Sequence, residues 1–372
     1  MASASGGGEI VVIGPVYPYR AGIAYCTTAL AEELAKSHDV RIVSFSRQYP
    51  KRFYPGGDDI DETLRARTPA GARFLLDILN PLTWIRVALL LRRMKPRAVV
   101  VVWWIWVWAL PYRALLALLP RSTRVVLQCH NIGDKEPAWW KRALTNWLLR
   151  RGDVLVVHAQ SEADDAAQRV PGKSIVKTFL PVHELGGAIP TRSEARRQLS
   201  LRDDERVALF FGHVRPFKGL DIALRAWREL QTEVTLIVAG EAWWKGEEEY
   251  RALAAGLDHV RFDFCFIPDS EIATYFAACD VVLAPYRIEA QSGVALTAFH
   301  FARPVIATRV GGLPEIIEEN VNGLLVPPED PRALAAAVDA FFAGGVDMTA
   351  GAAASARKYA WPEYAAIIER LV

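Results

Sequence analysis

Two cations stand three positions apart where an apolar segment ends. Arg215 and Lys218 lie in FFGHVRPFKGLD, residues 210–221, in which Pro216 and Gly219 indicate a turn. Arg presents a planar fork that fits phosphate oxygens, and Lys presents a compact point charge. Solvated surface charge is the commoner explanation for such a pair. The alternative is a pair of side chains that neutralises a diphosphate without a metal ion.

A second anion-binding element is predicted at the start of a helix. Ser292 and Gly293, in YRIEAQSGVALTAFHFA, open a helical pattern. The start of a helix carries unpaired N–H groups and the positive end of the helix dipole. Ser292 fits the helix N-cap, which is the more common use of that side chain. Gly293 would in addition allow a ligand to approach the backbone closely.

The first strand-to-helix turn carries glycines but no dinucleotide fingerprint. Gly14 and Gly22 bracket the loop in GPVYPYRAGIAYCTTALAEEL, residues 14–34. The GxGxxG spacing that NAD-binding folds place in this turn is absent from it. This absence argues against a dehydrogenase.

Two histidines end neighbouring strand patterns. His130, followed by Asn131, comes directly after RVVLQC, and His158 ends VLVVH. Each histidine either has a structural role or contacts a bound ligand. His130 is the stronger candidate for a ligand contact, whereas a structural role is the more common one for a residue such as His158.

A pair of aspartates has a spacing that some metal sites use. Asp59 and Asp61 lie in GGDDIDE, residues 56–62, which is a polar loop without a neighbouring apolar strand pattern. We therefore predict solvated surface carboxylates here and no metal site.

The motifs follow short apolar strands that alternate with helical patterns. Strand patterns lie at 9–14, 40–45, 98–103, 124–129 and 154–158, and again at 207–212, 234–240, 260–266, 281–286 and 304–309. Such alternation predicts parallel sheets covered by helices on both faces. The restart after the Pro- and Gly-rich stretch 180–194 predicts two α/β units. Because such sheets bind ligands at the carboxyl ends of their strands, two facing units would place these motifs along one cleft.

Charge is distributed unevenly over the chain of 372 residues. The first 182 residues carry 25 Lys+Arg against 15 Asp+Glu, and the remainder carries 19 against 27. This asymmetry predicts different partners for the two halves, and no nucleic-acid-reading motif accompanies the basic half.

The four cysteines are scattered, as in proteins of a reducing cytosol. The apolar stretch 99–119 has the length of a membrane span, but Pro111 and Arg113 interrupt it, so we predict a strand, a loop and a helix.

Longer segments resemble one enzyme family. FFGHVRPFKGLDIALRAW, VAGEAWW, APYRIEAQSGVALTAFHFARPVIATRVGGLPEII and ENVNGLLVPPED, in this order, are similar to the donor domain of family 4 glycosyltransferases of the GT-B fold. PYRAGIAYCTTALAEEL, VVVVWWIWVW and CHNIGDKEP resemble the acceptor domain of a bacterial branch. The resemblance implies an α/β GT-B fold of two Rossmann-like, doubly wound parallel-sheet domains facing a cleft. It implies an acceptor domain over 1–182, a donor domain over 183–352 and a C-terminal helix over 353–372 that crosses back to the first domain.

The resemblance also implies the reaction. It is the transfer of a sugar from a nucleotide-diphosphate sugar to an acceptor hydroxyl, with retention of anomeric configuration and without metal or cofactor, in glycan, glycolipid or cell-envelope synthesis. Arg215 and Lys218 would hold the diphosphate and stabilise it as it leaves. The backbone of Ser292, Gly293 and Val294 would bind the distal phosphate.

The other donor contacts that the resemblance implies surround this diphosphate. They are Gly22 closing from the first domain, the main chain of Phe266 and Ile267 at the base, and Gly311 and Gly312 beside the donor. The family commonly has two glutamates eight residues apart, one near the sugar and one on the ribose. Here Glu289 matches the first, but Thr297 occupies the second position, which leaves Thr297 or Glu241 for the ribose.

On the acceptor side, similarity to the family's HN segments makes His130 a candidate catalytic group and acceptor contact, with Asn131 and His158 beside it. The basic helical pattern WIRVALLLRRMKPR, residues 84–97, favours an acidic or lipid-linked acceptor. The alternative is a cytoplasmic protein loosely attached to the inner face of the membrane, although a packed helix with a solvated basic edge is the more common explanation of such a pattern. A sugar-nucleotide epimerase or phosphorylase on the same fold, and a non-catalytic partner protein, remain alternatives.

Overall fold

The chain folds as two compact units. The structure is a computed structural model and describes residues 9–20, 22–50, 59–133, 138–183, 188–242, 246–288, 291–344 and 346–372. The first unit comprises Met1–Pro181 together with Trp361–Val372, and the second comprises Val182–Ala360.

A parallel sheet of seven strands forms the centre of the first unit. The strands are β1 (Ile10–Ile13), β2 (Val40–Arg47), β3 (Arg73–Asp77), β4 (Ala98–Trp103), β5 (Arg124–Cys129), β6 (Val154–Val157) and β7 (Ser174–Lys177). Their order across the sheet is β3-β2-β1-β4-β5-β6-β7, and neighbours run parallel. The central strands β1 and β4 are buried along their whole length, which explains their continuous runs of apolar residues.

The second unit contains a parallel sheet of six strands. The strands are β8 (Val207–Phe211), β9 (Thr235–Ala239), β10 (Val260–Asp263), β11 (Val281–Ala284), β12 (Val305–Thr308) and β13 (Gly323–Val326). Their order is β10-β9-β8-β11-β12-β13, again with parallel neighbours. The prediction of two parallel-sheet α/β domains is confirmed.

Helices connect successive strands in both units. They are α1 (Gly22–Ala35), α2 (Pro81–Met94), α3 (Ala109–Ala117), α4 (Trp139–Leu149), α5 (Gln160–Arg169), α6 (Arg192–Gln198), α7 (Leu220–Ala226), α8 (Glu247–Leu253), α9 (Asp269–Ala278), α10 (Gly293–His300), α11 (Leu313–Ile316), α12 (Pro331–Phe342), α13 (Thr349–Lys358) and α14 (Trp361–Glu369). In the first unit, α2 to α5 share a core with one face of the sheet, and α1 and α14 share a core with the other. In the second unit, α7, α8 and α12 pack on one face. Alternate residues of each central strand therefore enter opposite cores.

The C-terminal helix α14 is an integral part of the first unit. Trp361 donates a hydrogen bond from Nε1 to the hydroxyl of Tyr25 on α1 at 2.8 Å, and Tyr364 is fully buried in the same core. The sequence-based boundary for the returning segment was residue 353. In the structure, α13 stays in the second unit, where Ser355 accepts a hydrogen bond from Asn322 at 2.8 Å.

The long apolar stretch 99–119 folds as predicted. It supplies most of β4, a short 3-10 turn at Trp106–Trp108 and helix α3, and Trp103 and Trp108 are buried in the core of the first unit. None of the helices in the described part of the chain is both long enough and apolar enough to cross a lipid bilayer.

Candidate functional site

The predicted motifs lie where the strand order of each sheet changes direction. In the second sheet this point lies between β8 and β11, which lead into the turn 212–219 and the segment 285–288. In the first sheet it lies between β1 and β4, and β1 leads into the loop before Gly22. Open α/β sheets bind ligands beyond the carboxyl ends of strands at such a switch point. Each unit thus carries its candidate residues where its own sheet favours binding.

The turn after β8 depends on glycine. Pro216–Lys218 form a single 3-10 turn that ends at Gly219, whose φ is +71°. A Cβ at Gly219 would lie 2.0 Å from the carbonyl oxygen of Pro285, so the turn packs directly on the segment that follows β11. A side chain at this position would disturb both the conformation and the contact.

Lys218 lies beside the backbone of Gly212 and the first turn of α10. The position that a Cβ at Gly212 would take is 3.5 Å from Lys218 Nζ and 3.7 Å from Val294 Cγ2. The same ammonium lies 5.1 Å from the ring centre of Tyr286, which immediately precedes Arg287. Arg215 begins the same turn, and its guanidinium lies 5.9 Å from the ring centre of Phe217. The structure therefore brings together one predicted cation and the predicted helix start.

The start of α10 divides its roles between side chain and backbone. Ser292 is buried, and its hydroxyl accepts the Ala295 N–H at 3.3 Å, as a helix cap does. A Cβ at Gly293 would meet no other described atom within 4 Å, so this backbone faces open space. The N–H groups of Gly293 and Val294 have no acceptor within the helix because α10 begins there. Backbone donors are thus available to an anion next to Lys218.

Burial and the neighbouring cations lower the pKa of His213, the residue after Gly212. Burial, and then the charges of Arg215 and Lys218, lower the pKa of His213 to about 4. His213 Nδ1 lies 3.7 Å from the Glu241 carboxylate, but a neutral imidazole makes this contact a polar one and not an ion pair. The backbone of Glu241 is fixed because its carbonyl accepts the Val214 N–H at 2.8 Å.

The other predicted donor contacts follow neighbouring strands of the second sheet. Phe266 and Ile267 lie between β10 and α9, and Gly311 and Gly312 lie between β12 and α11, with φ of +51° at Gly311. Thr297 is buried, and its hydroxyl donates to the Gly293 carbonyl at 2.8 Å, so its proton is used within α10. Glu289, the predicted partner of the sugar, lies outside the described residues.

Arg287 was not among the predicted residues, although it lies at the same edge of the sheet. Its guanidinium bonds the Asp221 carboxylate through two nitrogens, both at 2.8 Å. In the sequence it is one arginine after a strand, and its partner is 66 residues away, so no local pattern distinguished it.

In the first unit, Gly22 begins α1 and is exposed, and no other described atom lies within 4 Å of its Cβ position. The preceding loop is held to the helix by a hydrogen bond from the Tyr17 N–H to the Thr28 hydroxyl at 3.2 Å. Gly22 thus lies at an exposed helix start, and its contact with a bound donor stays a prediction.

His130 and His158 lie side by side but differ in their partners. Their ring centres are 5.2 Å apart. His158 is buried, and its Nε2 is 3.0 Å from the hydroxyl of Tyr364, which favours the structural role that the sequence left open. His130 is half-buried, and within the described residues its Nε2 has no hydrogen-bond partner. Asn131 donates from Nδ2 to the Trp104 carbonyl at 3.4 Å.

We expect His130 to be neutral throughout the physiological range. Burial lowers its pKa from the ordinary 6.5 to about 4. Between these values the unfolded chain binds a proton that folded His130 does not, so stability falls as the pH is lowered from 6.5 towards 4. An NMR titration of the imidazole signals should give a midpoint near 4 for His130, with a His130→Gln variant to assign the signal. A midpoint near 6.5 would contradict this environment.

The sequence predicts that Asp59 and Asp61 of the GGDDIDE stretch are both solvated, and the structure differs at Asp61. Asp61 is buried, and its Oδ1 accepts hydrogen bonds from Thr63 N at 2.9 Å and Thr63 Oγ1 at 2.6 Å. The prediction of a solvated carboxylate is wrong for Asp61, because the residue caps the 3-10 helix Glu62–Arg67. Across the described ranges, no three His, Cys, Asp or Glu side chains lie together as metal ligands would.

Two family models match the chain, one in each unit. The model described as Glycosyltransferase Family 4 matches residues 20–176, and the model described as Glycosyl transferases group 1 matches residues 205–343. Together they cover both candidate regions.

Curated relatives carry a related name. The D-inositol 3-phosphate glycosyltransferase of Xylanimonas cellulosilytica is 33% identical over 237 residues, or 59% of this chain and 56% of that protein. The protein of that name from Mycobacterium marinum is 35% identical over 180 residues, or 46% of this chain and 38% of that protein. The chain spans about half the length of the curated relatives it matches.

Solved structures share the fold over almost the whole chain. Sucrose-phosphate synthase from Thermosynechococcus elongatus has a TM-score of 0.76 at 18% identity and covers 98% of both chains. Anabaena HepE in complex with UDP also has a TM-score of 0.76 at 18% identity, covering 97% of this chain and 98% of HepE. HepE is also known in complex with UDP-glucose, with a TM-score of 0.75 at 17% identity, covering 98% of this chain and 100% of HepE. At these identities the likeness establishes the fold.

Proposed function

The chain belongs to the family 4 glycosyltransferases of the GT-B fold, and we propose that it transfers a sugar from a nucleotide-diphosphate sugar to an acceptor hydroxyl. Relatives named glycosyltransferase support the reaction class, and the UDP and UDP-glucose complexes of HepE support a donor of this kind.

One observation carries the proposal: Lys218 Nζ, the Gly212 backbone and the start of α10 converge at the switch point of the second sheet. When the anomeric bond breaks, negative charge develops on the phosphate oxygens and positive charge on the sugar ring. Preorganised cations and N–H groups stabilise the phosphate charge, at about 3–4 kcal/mol for each well-placed donor. Arg215, on the same turn, provides a second cation.

We propose that the reaction retains the anomeric configuration. The bond from the anomeric carbon to the phosphate oxygen breaks, and a bond from that carbon to the acceptor oxygen forms. The proton of the acceptor hydroxyl passes to the departing phosphate, whose negative charge Arg215 and Lys218 hold in place. This route requires no separate protein base. His213 is neutral beside these cations, so it can form a hydrogen bond but adds no charge next to the phosphate.

We assign His130 to a sugar or acceptor hydroxyl. Its ring is half-buried and neutral, and its Nε2 is without a partner in the described part of the chain. A neutral imidazole fixes the orientation of a hydroxyl and does not add charge to the positive sugar ring.

We keep Phe266, Ile267, Gly311 and Gly312 as donor contacts because each pair follows a strand at the same edge of the sheet. Glu241 is kept for the ribose in preference to Thr297, whose hydroxyl proton is engaged.

A donor screen in EDTA tests the reaction and its metal independence together. We expect one nucleotide sugar from a panel of UDP, GDP and ADP sugars to release its nucleotide, at a rate that EDTA leaves unchanged. Lys218→Ala protein, purified in parallel, serves as the blank for contaminating activity. A rate that EDTA abolishes and Mg²⁺ restores would contradict a metal-independent reaction.

The same screen separates the alternatives on this fold. Release of a sugar 1-phosphate from a glycoside on addition of free phosphate, with no nucleotide sugar consumed, would indicate a phosphorylase. Interconversion of two nucleotide sugars without release would indicate an epimerase. Binding of a donor without any conversion, in the presence of candidate acceptors, would indicate a non-catalytic partner.

We also propose contact with an anionic membrane or a lipid-linked or acidic acceptor through one face of the first unit. Helices α2, α3 and α4 lie side by side on that face. Their outer surface exposes Leu82, Ile85, Leu89, Leu110, Trp139, Trp140 and Trp147. Trp139 is 82% exposed, and the basic residues Arg92 and Arg93 lie in the last turn of α2. Exposed Trp and aliphatic side chains flanked by cations fit a lipid interface.

The name of the relatives includes D-inositol 3-phosphate, which is an anionic compound. This name agrees with an anionic acceptor. We place the protein in the cytoplasm, because its four cysteines are free and three of them are buried.

We expect binding to vesicles that contain phosphatidylglycerol, and weaker binding as NaCl is raised, because each Arg near the surface contributes up to about 1 kcal/mol. A double Arg92→Gln, Arg93→Gln variant should bind several-fold more weakly in a sedimentation assay. The single variants Arg92→Gln and Arg93→Gln are compared with Arg121→Gln, which removes one exposed cation of the same unit outside these helices. Absence of binding at low salt would contradict membrane contact.

A further inference from the structure

Arg287 uses its whole guanidinium within the protein. Nη1 donates to Asp221 Oδ1 at 2.8 Å and to the Pro216 carbonyl at 2.6 Å. Nη2 donates to Asp221 Oδ2 at 2.8 Å and to Glu329 Oε2 at 3.1 Å, and Nε donates to Glu329 Oε1. A guanidinium has five N–H groups, and these five contacts account for all of them.

Two partners of Arg287, the Pro216 carbonyl and Asp221, lie in or just after the turn that carries the two predicted cations. The Pro216 carbonyl lies inside the turn, and the Arg287 backbone N–H donates to the next carbonyl, that of Phe217, at 2.7 Å. Both carbonyls lie between Arg215 and Lys218. Asp221 follows the turn in the first part of α7, so one arginine holds the turn at its middle and at its end.

The network carries no net positive charge toward a ligand. Two carboxylates neutralise Arg287, and their hydrogen bonds raise its pKa further above the ordinary value, with Asp221 the largest cause. Burial would raise the pKa of Asp221, but the hydrogen bonds and charge of Arg287 outweigh it, and the pKa is lowered. Arg287 is thus permanently charged, paired and unavailable to phosphate.

We propose that Arg287 is a positioning residue, which holds the turn 215–218 so that Lys218 and Arg215 face the diphosphate next to the start of α10. This inference rests on the proposed function. Without the guanidinium, the Pro216 carbonyl keeps only the Gly219 N–H as a donor and Asp221 loses its two-point partner, so the turn is held less firmly. Lys218 Nζ then leaves the place beside Gly212 where the distal phosphate binds.

A buried arginine in the same unit, Arg196, provides a control because it also bonds one carboxylate and several backbone carbonyls. Arg196 bonds the Asp280 carboxylate through Nη2 at 3.0 Å and 3.1 Å, and it also donates to backbone carbonyls, including that of Ala278 at 3.0 Å. Asp280 in turn accepts the Val207 N–H at the first residue of β8, so this network lies at the amino ends of the strands. Arg196 thus has a structural role at the amino ends of the strands, and Arg287 has a similar one at the carboxyl ends of the same sheet.

The experiment compares Arg287→Lys with Arg196→Lys. Affinities for UDP and UMP are measured by calorimetry at a temperature at which each variant is folded, with the GDP/GMP and ADP/AMP pairs alongside to identify the base. For Arg287→Lys we expect diphosphate affinity to fall roughly 10- to 100-fold, because the loss of a hydrogen bond to a charged group has an effect of this size. Monophosphate affinity should change less than about threefold, since the distal phosphate is the group that loses its partner. In Arg196→Lys the ratio of the two affinities should equal that of the parent.

The outcomes separate this inference from the function on which it rests. A folded Arg287→Lys protein with the parental ratio of diphosphate to monophosphate affinity would overturn the positioning role. If Arg287→Lys does not fold, Asp221→Asn, which keeps the shape of the partner, decides the question by the same ratio. A parent chain that binds none of the diphosphates would overturn the proposed function, and this inference with it.

Discussion

Lys218→Ala should lower turnover by about 100- to 1000-fold while the chain stays folded. The ammonium lies beside Gly212 and the first turn of α10, where the leaving diphosphate acquires its charge. Loss of one preorganised donor of this kind raises the barrier by about 3–4 kcal/mol. The native contacts that are lost include the one with the face of Tyr286, 5.1 Å away, which is worth about 2 kcal/mol. Single-turnover rates with saturating donor measure the effect on the chemical step.

Lys358→Ala is the matched control for this change. Lys358 lies in the same unit, on α13, and its surface ion pair with Glu318 at 3.1 Å contributes about 1 kcal/mol or less. The Lys358→Ala substitution removes the same charge from the unit and leaves the turn after β8 unchanged. A turnover of Lys218→Ala within threefold of that of Lys358→Ala would exclude Lys218 from leaving-group stabilisation.

Gly219→Ala should be among the most destabilising single substitutions in the second unit. The residue has a φ of +71°, and its Cβ would be placed 2.0 Å from the Pro285 carbonyl oxygen. A clash with backbone cannot be relieved by a rotamer change, so the turn or β11 must move. We expect a cost above about 4 kcal/mol and a melting temperature lower by about 10 °C or more. Activity should fall as well, because the displaced turn carries Lys218.

Gly256→Ala separates the backbone conformation from the clash. Gly256 has a φ of +78°, and among the described atoms none lies within 4 Å of its Cβ position. This change should cost only the 1–2 kcal/mol or so of the left-handed conformation. Equal melting temperatures for the two variants would show that the approach of Pro285 to Gly219 is not as close as the structure has it.

The sequence predicted the central strands of both sheets and missed three at the edges. β3, β7 and β13 were not identified, and each lies at the end of its sheet. β3 and β7 together bury only one side chain fully, so their apolar patterns are weak, whereas this reason does not apply to β13, whose sequence GLLV is apolar throughout. The central strands are buried on both faces, and their runs of Val, Ile and Leu identify them without tertiary information.

The candidate site was predictable where its geometry is local in sequence. Arg215, Lys218 and Ser292 follow strands directly, so their placement at the carboxyl edge comes from the strand pattern itself. Arg287 depends on Asp221 and on Glu329, 42 residues away, and His158 bonds Tyr364, 206 residues away. No pattern within one element specifies such pairs. The sequence also treated Asp61 as surface, because a buried cap and an exposed turn carboxylate have the same local signature.

A crystal structure of the chain with a bound nucleoside diphosphate tests the central claim most directly. We predict phosphate oxygens within hydrogen-bond distance of Lys218 Nζ, of the Arg215 guanidinium and of the Gly293 and Val294 N–H groups. Phosphates bound elsewhere, with the turn after β8 and the start of α10 unoccupied, would contradict the account.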